Sequence, residues 1–314
     1  PPRSTLFPYT TLFRSGGDRS SKADMRLLFL LALAAVTGAA LAQLPDVSVF
    51  ADLRPTLTLR RDEVPFVRWL DPEGRVSIVG LSLGLENGAK VKVTQRMQRV
   101  PGDTDQLDEA WISINEEWTL GKQYLPFGLR ALYRESVPAI SFNTQLVFDA
   151  IPAEASLFDA GEARPRGFSL RIGRPAFGVS IASGDHLAVQ GTSLLPFRTP
   201  GEAESKGGGW TLAFGADGQI TIGSARLEGE VLILRGPQFP TTDSQAYSTI
   251  KAFFRASPLP YTLEAMYSHD WRQDEGILGA ATTIPLDAKA SLRPLIRFDR
   301  SGLREAAVTF RLKL

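Results

Sequence analysis

Apolar and polar residues alternate along most of this chain with the two-residue period of β-strands. In Val47–Arg60 the apolar side chains fall on one parity, from Val47 to Leu59, and hydroxyl and charged side chains fall on the other. Successive side chains of a strand point to opposite faces of a sheet. The pattern therefore predicts strands with one apolar and one polar face, separated by turns such as Asn87-Gly88 and loops such as Arg61–Arg75.

The clearest hairpin lies between Glu109 and Gly128. Ala110–Ile114 and Trp118–Tyr124 both alternate, and the polar triplet 115–117 separates them. Aromatic residues lie towards the strand ends, as they do at membrane interfaces. These aromatics are Trp111, Trp118, Tyr124 and Phe127. A hairpin of a soluble β-sandwich has the same alternation, so this stretch alone leaves both folds open.

The whole chain predicts an all-β fold of about 14 antiparallel strands, with 12 and 16 as alternatives. Asp217-Gly218 is interpreted as one of the turns, and 126–165 and Asp185–Gly209 as long loops. Short turns at one end and longer loops at the other are typical of outer-membrane barrels, whereas a sandwich mixes loop lengths at both ends. The asymmetry favours an antiparallel transmembrane β-barrel.

The N-terminal region has the signals of export. Residues 1–24 resemble translated sequencing-adapter sequence and are excluded from the fold prediction. Residues 25–42 combine the positive Arg26, an apolar run from Leu27 to Ala40, and a small-x-small cleavage pattern ending at Ala42. A transmembrane anchor is the alternative, but the apolar run is shorter than the roughly 20 residues that a spanning helix needs. The prediction is a signal peptide followed by an outer-membrane barrel at 43–314.

Composition excludes several classes of site. The chain has 0 cysteines, so disulfides and thiolate metal sites are impossible. The 43% hydrophobic content is that of a soluble protein. A transmembrane β-barrel has the same average, because only alternate residues of its strands meet lipid. The formal net charge of +1 indicates no particular partner, so the placement of the charges matters more than their sum.

Two stretches resemble a known family of porins. They are Asp108–Ile114 with Trp118–Gly128, and Phe158–Gly167, whose Gly-Glu-x-Arg sequence leads into the next strand. Across roughly residues 105–185 the chain is similar to bacterial outer-membrane porins of the LbtU-type siderophore group and, more loosely, to the phosphate-selective porins O and P. The resemblance implies a porin fold in the outer membrane and uptake of a siderophore or phosphate.

The polar parity of the strands gives the candidates for lining the pore. They are mostly basic: Arg54, Lys90, Lys92, Arg96, Arg171, Lys251, Arg255, Arg293, Arg297 and Arg311. A basic lumen raises the local concentration of anions, which predicts a weakly anion-selective pore. The alternative is that these side chains pair with carboxylates and brace a narrow barrel.

The long segment 126–165 is the candidate constriction loop. Its charged residues would then define the narrowest part of the pore. These candidates are Arg130, Arg134, Glu135, Asp149, Glu162 and Arg164. An exposed loop, or one that closes the lumen as a plug, is the alternative.

Catalysis and cofactor binding are not expected. Ser268, His269 and Asp270 are adjacent in a predicted strand, where neighbours point to opposite faces and cannot converge on a substrate. No dinucleotide, phosphate-loop, zinc or EF-hand spacing is present, so no cofactor or metal is predicted. A basic surface run with interleaved aromatics is also missing, so nucleic acid is not an expected partner.

These features predict a porin in the outer membrane of a Gram-negative bacterium that passes small polar or anionic solutes by diffusion. Its expected partners are outer-membrane lipid, those solutes, the barrel assembly machinery during biogenesis, and further copies of the chain in a homotrimer. The alternative is a closed structural or adhesive barrel whose loops bind partners. What occupies the lumen distinguishes the two.

Overall fold

The structure is a computed structural model that describes residues 46–314 with gaps at 62, 86–87, 101–102, 104–105, 147–149, 162–164, 189, 191, 195–196, 198–208, 237–244 and 256–259. The predicted adapter segment and signal peptide therefore lie outside the described residues. Both stay predictions.

Strands make up nearly all of the regular structure in the described residues. They are β1 Asp46–Leu53, β2 Thr56–Arg60, β3 Phe66–Arg68, β4 Ile78–Gly84, β5 Lys90–Arg96, β6 Leu107–Ile114, β7 Trp118–Tyr124, β8 Ser136–Leu146, β9 Ile151–Asp159, β10 Arg166–Arg174, β11 Phe177–Asp185, β12 Trp210–Ile222, β13 Ala225–Arg235, β14 Gln245–Arg255, β15 Thr262–Asp270, β16 Glu275–Pro285, β17 Ala290–Asp299 and β18 Gly302–Lys313.

All 18 strands belong to one antiparallel sheet that closes on itself. The last strand, β18, pairs with both β1 and β2, and Thr309 lies opposite Thr56. β1 with β2, and β3 with β4, are each one wall strand interrupted by a few residues, because β1 pairs with β4 and β2 with β3. The described barrel wall therefore has 16 strands.

The main prediction of about 14 strands is wrong, and its alternative of 16 is correct. The difference lies in 126–165, predicted to be one long loop, which contains β8 and β9. Alternation is lost in the first half of β8, because the inward positions there are apolar before Ser141, Asn143 and Gln145 follow on the same parity. Ile140 is exposed on the outer face, whereas Val137 and Ala139 are buried against interior loops. Pro138 and Pro152, which suggested a loop, lie within the ladders of these strands.

A second boundary is also corrected. Asp217-Gly218 is not a turn, because β12 continues to Ile222 and the chain reverses at Gly223-Ser224. The two residues lie in the β12–β13 ladder opposite Glu230 and Gly229. An Asp-Gly pair favours a turn by local conformation, but here the ladder continues through it.

Burial in the wall is the reverse of that in a soluble protein. Leu57 and Leu59 of β2 are 52% and 44% exposed, whereas Thr56 and Thr58, which alternate with them, are fully buried. The same alternation recurs in β18, where Val308 is exposed and Thr309 is buried. A polar inner face and an apolar outer face are what a bilayer requires of a barrel. Among the described residues, no helix has the length and apolar character needed to cross a membrane.

The interior contains an apolar core, which sequence alternation did not predict. It joins 125–135 and the described residues Leu187, Ala188 and Leu194 to the inner faces of β8, β9 and β11–β14. Its largest fully buried members include Leu125, Phe127, Tyr133, Leu232 and Leu234. This core packs the segment 125–135 against the strands of one part of the wall.

Candidate functional site

Among the described residues, two segments that fold into the interior border the charged groups. The first, named here the inner tongue, is Trp69–Ser77, and it interrupts the wall strand formed by β3 and β4. Its base is held by a bridge between Leu70 and Val76 and by the N–H of Ser77, which donates to the carbonyl of Trp69 at 2.8 Å. The second, named the inner loop, is Leu125–Glu135 between β7 and β8.

Glu73 at the tip of the inner tongue reaches cations of β14 and β17. Lys251 Nζ and Arg293 Nη2 each lie 3.0 Å from Glu73 Oε1. Burial acts to raise the pKa of the Glu73 carboxyl, but Lys251, Arg293 and Arg75 outweigh it and hold this pKa well below its usual range. Glu73, which is in a connection and not in a membrane-spanning strand, is therefore an anion across the ordinary pH range.

Glu305 of β18 collects a second group of cations. Arg60, Arg68 and Arg297 approach its carboxylate at 3.4, 3.1 and 2.9 Å. Arg297 also donates from Nη1 to the carbonyl of Pro72 at 3.0 Å, which ties this group to the inner tongue. Three guanidinium groups thus share one carboxylate inside the barrel.

Together, these two groups carry more cations than acids. Among the described residues, ion pairs join six cations to three carboxylates, which is an excess of three positive charges. The cations are Arg60, Arg68, Arg75, Lys251, Arg293 and Arg297, and the carboxylates are Glu73, Glu264 and Glu305. An excess of cations in a low-dielectric interior attracts anions and repels cations.

A single carboxylate anchors the inner loop. Glu230 of β13 is buried, and it accepts hydrogen bonds from four successive or nearly successive backbone N–H groups. The donors are Leu129 at 2.8 Å, Ala131 at 3.1 Å, Leu132 at 3.0 Å and Tyr133 at 3.4 Å. Converging N–H groups of this kind form a concave anion-binding arrangement. The loop is therefore fixed to the wall and does not extend into solvent.

Between the inner tongue and the inner loop lies a cavity of about 240 Å³. Its charged lining residues come from both segments and from the wall strands β13, β14 and β17. They are Glu73, Arg75, Arg130, Arg134, Glu228, Glu230, Lys251 and Arg297. A larger space of about 770 Å³, lined by Glu116, Asn143, Glu154 and Arg171 among others, lies towards the end with the short turns. The space beside the inner tongue is thus the smaller of these two.

Comparison with known proteins was made at three levels. No family model matches the chain, and no curated protein matches it. Solved structures of outer-membrane proteins do match. A loop L8 deletion mutant of OmpT from Vibrio cholerae has a TM-score of 0.58 at 11% identity, with 87% of this chain and 100% of that chain covered. The chain has the β-barrel fold of these bacterial outer-membrane proteins.

Two further structures have the same fold. The outer membrane channel DcaP of Acinetobacter baumannii gives a TM-score of 0.57 at 8% identity, covering 86% of this chain and 97% of that one. An anion-selective porin from Comamonas acidovorans gives 0.53 at 12% identity, covering 86% and 99%. At such low identity the likeness establishes the porin fold and does not identify a solute.

Most of the residues predicted to line the pore are held by carboxylates in this barrel. Arg54 pairs with Asp52 and Asp71, Lys90 with Glu116, Lys92 with Glu109, Arg96 with Asp103 and Asp108, Arg171 with Asp217, Lys251 with Glu73, Arg293 with Glu73 and Glu264, Arg297 with Glu305, and Arg311 with Asp52. Arg255 is exposed at the end of β14. Of the ten, Lys251 and Arg297 line the cavity.

Three of the six constriction candidates lie in the inner loop. Arg130 and Arg134 line the cavity and stand over the ring of Tyr124, at 5.7 and 4.9 Å from its centroid. Glu135 is buried away from the cavity, where it accepts from the hydroxyl of Tyr133. The other three, Asp149, Glu162 and Arg164, lie outside the described residues.

Sequence reasoning did not single out Glu73, Glu230 or Arg75. The sequence predicts a loop at Glu73 and Arg75, because 71–74, Asp-Pro-Glu-Gly, has turn composition and precedes a strand. Glu230 is on the polar parity of its strand, and this parity was the only sequence signal that its side chain faces the interior. Its hydrogen bonds to a segment about 100 residues away could not be read from spacing.

Ser268 and His269 lie on opposite faces of β15. Ser268 faces inward, where its hydroxyl lies 2.9 Å from that of Thr249. His269 belongs to an aromatic group with Tyr267 and Trp271, with its Nδ1 3.0 Å from the Tyr267 hydroxyl. Within the described residues no cluster of His, Cys, Asp or Glu has the arrangement of a metal site.

Proposed function

We propose that this protein is an outer-membrane porin that passes small anionic and polar solutes by diffusion, with a preference for anions. The observation that carries the proposal is the excess of cations around Glu73, Glu264 and Glu305, directly beside the cavity between the inner tongue and the inner loop. The porin fold and the anchored inner loop support the same conclusion.

The cavity volume bears on the size of the solute. About 240 Å³ accommodates a small anion such as phosphate, whereas a siderophore is much larger and would require the inner loop or the inner tongue to move. Of the two solutes that the family resemblance implies, phosphate therefore fits this geometry better.

No catalytic step is part of the proposal. A homotrimer is part of it, and one structural neighbour, OmpT of Vibrio cholerae, is described in a trimer form.

Reversal potentials test the proposal. The purified protein is inserted into planar bilayers that separate concentrated from dilute potassium chloride, and the zero-current voltage gives the ratio of chloride to potassium permeability. We expect stepwise insertion of conducting channels and a ratio above one. A ratio below one would contradict the anion preference, although the protein would still be a pore.

A second candidate is a closed structural or adhesive barrel. The interior apolar core, with Phe127, Tyr133 and Leu232 fully buried, favours it, because porin lumens are otherwise polar. The same bilayer recording separates the two functions. Insertion of folded protein without any conductance, verified by protease resistance of the inserted barrel, would favour the closed barrel.

A further inference from the structure

We propose that Tyr124 is a positioning residue for ion selectivity, whose ring holds Arg130 and Arg134 at the cavity as two charges that no carboxylate neutralises. This inference rests on the proposed porin function and adds two cations to the excess already described. It begins from a difference among the cations that line the cavity.

The cations from the wall and from the inner tongue are paired with carboxylates. Lys251 and Arg75 lie 3.0 and 3.9 Å from the carboxylate of Glu73. Arg297 lies 2.9 Å from the carboxylate of Glu305. Each such pair reduces the charge that a solute in the cavity experiences. These side chains therefore act on a solute through the excess of the whole group.

The two arginines of the inner loop are different. In the part of the chain that the structure describes, neither Arg130 nor Arg134 forms an ion pair with a carboxylate. The acids of the same cavity wall are engaged elsewhere, since Glu230 accepts from the backbone of the inner loop and Glu228 lies 3.0 Å from Arg226. Arg130 is exposed and Arg134 is half-buried, so a solute in the cavity meets both charges.

Tyr124 supplies the contact that a carboxylate supplies for the other cations. Its ring centroid lies 4.9 Å from Cζ of Arg134 and 5.7 Å from Cζ of Arg130. A guanidinium group within about 6 Å of an aromatic ring is attracted by the negative face of the ring, although the ring has no net charge. The ring therefore holds both cations in place and leaves their charge available to solutes.

The position of the ring is fixed by a buried hydrogen bond. Tyr124 is 7% exposed, and its hydroxyl donates to Oδ1 of Asp108 at 2.6 Å. The same oxygen accepts from Nε of Arg96 at 2.8 Å. Because Asp108 already forms an ion pair with Arg96, this carboxylate orients the ring of Tyr124 without a direct pair to either arginine of the inner loop.

The backbone of Arg130 gives independent support for a role of its side chain. This residue has a φ of +60°. At a positive φ, arginine is less favourable than glycine or asparagine, because its Cβ crowds the backbone. Residues held in such conformations cluster at functional sites. An arginine in a conformation that favours a smaller residue is expected where the position requires its charge at the cavity.

Reversal potentials of variants at position 124 test the positioning role. The full chain is recorded in planar bilayers under a potassium chloride gradient. Without the ring, Arg130 and Arg134 can turn towards Glu154 and Asp108, on which their charges already act. We therefore expect Tyr124→Leu to lower the ratio of chloride to potassium permeability by at least about twofold. Tyr124→Phe, which keeps the ring, should retain the wild-type ratio. A wild-type ratio in Tyr124→Leu, or an equal loss in both variants, would overturn the inference.

Tyr247→Leu separates a loss of stability from a loss of positioning. Tyr247 is also 7% exposed, its hydroxyl donates to Gln245 at 2.7 Å, and its ring lies against Phe197. Both leucine variants should lower the midpoint of urea unfolding, but Tyr247→Leu should leave the permeability ratio unchanged. An equal fall of this ratio in the two variants would contradict a specific role for Tyr124.

A combined variant tests whether Tyr124 acts through the arginines. The permeability ratio should fall in a protein that carries both Arg130→Gln and Arg134→Gln. Tyr124→Leu added to these substitutions should then cause no further fall. A further fall as large as that seen in the wild-type background would mean that Tyr124 acts independently of the two arginines, which would overturn the inference.

Arg130→Asn separates the charge of this side chain from its effect on the fold. Asparagine tolerates a positive φ, so the midpoint of urea unfolding should not fall. The permeability ratio should fall, because one of the two unpaired cations is lost. An unchanged permeability ratio would exclude Arg130 from the selectivity that Tyr124 maintains.

A thiol reporter keeps this inference separate from conductance. The chain has 0 cysteines, so Leu129→Cys places a single thiol in the cavity lining, next to Arg130. Its rates of modification by an anionic and a cationic methanethiosulfonate of similar size are measured with the full chain in detergent micelles. Tyr124→Leu should lower the ratio of the anionic to the cationic rate by at least about twofold, and Tyr124→Phe should not. An unchanged ratio in Tyr124→Leu would overturn the inference even if the channel conducts, whereas absence of conductance counts against the proposed function.

Discussion

Gly128 and Glu230 are so close that a side chain at Gly128 would collide with the carboxylate that anchors the inner loop. A Cβ built on Gly128 would lie 2.7 Å from Cδ of Glu230, and the residue has a φ of +51°. Glycine is therefore required here for two reasons, backbone conformation and close approach. The relationship explains how a short loop can present several N–H groups to one carboxylate.

Gly128→Ala should displace the inner loop and destabilise the barrel by about 2–3 kcal/mol, since the strain of a positive φ adds to the collision. Equilibrium unfolding in urea of protein refolded into vesicles measures the loss. Gly223→Ala is the matched control, because Gly223 has a similar φ of +58° and open space around its Cβ position. Equal losses in the two variants would mean that the contact with Glu230 carries no cost.

Removal of the Glu230 carboxylate should widen the cavity between the inner tongue and the inner loop. In Glu230→Ala the N–H groups of the inner loop lose their acceptor, which should cost about 2–4 kcal/mol of stability and allow the loop to move. Single-channel conductance should rise. Glu228→Ala is the control, because it also removes one carboxylate from the cavity wall but does not hold the loop. A similar conductance change in both variants would point to charge and not to loop position.

The polar and apolar alternation was enough to predict the fold class because the bilayer and the lumen impose opposite demands on the two faces of each strand. It failed where that opposition is absent. In β8, Val137 and Ala139 are apolar on the inner face because they contact the interior core, so the first half of the strand has no polar parity to recognise. The missed strands follow from this core and not from weak propensity.

The site was less predictable than the wall because it depends on contacts between distant residues. Glu73 meets Lys251 and Arg293 across separations of 178 and 220 residues. Its local sequence, Asp-Pro-Glu-Gly, predicts a turn but not the direction in which the turn folds. By contrast, Arg293 and Arg297 could be named in advance, because their parity within a long strand fixes the face on which they lie.

Glu73→Gln should increase the preference for anions. The substitution removes one of the three carboxylates among six cations and frees Lys251 to interact with solutes, while Arg293 keeps its pair with Glu264. Reversal potentials should therefore shift towards the chloride equilibrium potential. Glu116→Gln is the control, because Glu116 pairs with Lys90 on the exposed turn side of the barrel. An unchanged reversal potential in Glu73→Gln would mean that Glu73 of the inner tongue does not affect ion selectivity.

Asp217→Ala tests the corrected path of β12. Asp217 is buried and holds Arg171 at 2.5 Å, while the guanidinium also donates to the carbonyls of Gly173 and Arg174. Loss of the carboxylate should cost about 2–3 kcal/mol, because the carbonyls compensate only in part. Urea unfolding measures it. Asp274→Ala, which breaks an exposed pair with Arg300, should leave the unfolding midpoint unchanged. If Asp217 instead lay in a solvated turn, Asp217→Ala would also leave the unfolding midpoint unchanged.

Acidification should leave the selectivity set by Glu73 intact over a wide range. Burial alone would raise the pKa of this carboxyl, but Lys251, Arg293 and Arg75 hold the pKa well below its usual value. A group with a lowered folded-state pKa contributes stability above its unfolded pKa, near 4.3, and loses it as the pH falls through the folded value. Between pH 7 and pH 5, Glu73 therefore stays ionised and its ion pairs persist.

The comparison that checks this prediction is between wild type and Glu73→Gln at pH 7 and pH 5. The difference between their reversal potentials should be the same at both values, because protonation of other groups affects both proteins alike. If Glu73 instead took up a proton near pH 5, wild type would converge on the variant. Convergence would mean that solvent reaches the tip of the inner tongue and screens it from Lys251 and Arg293.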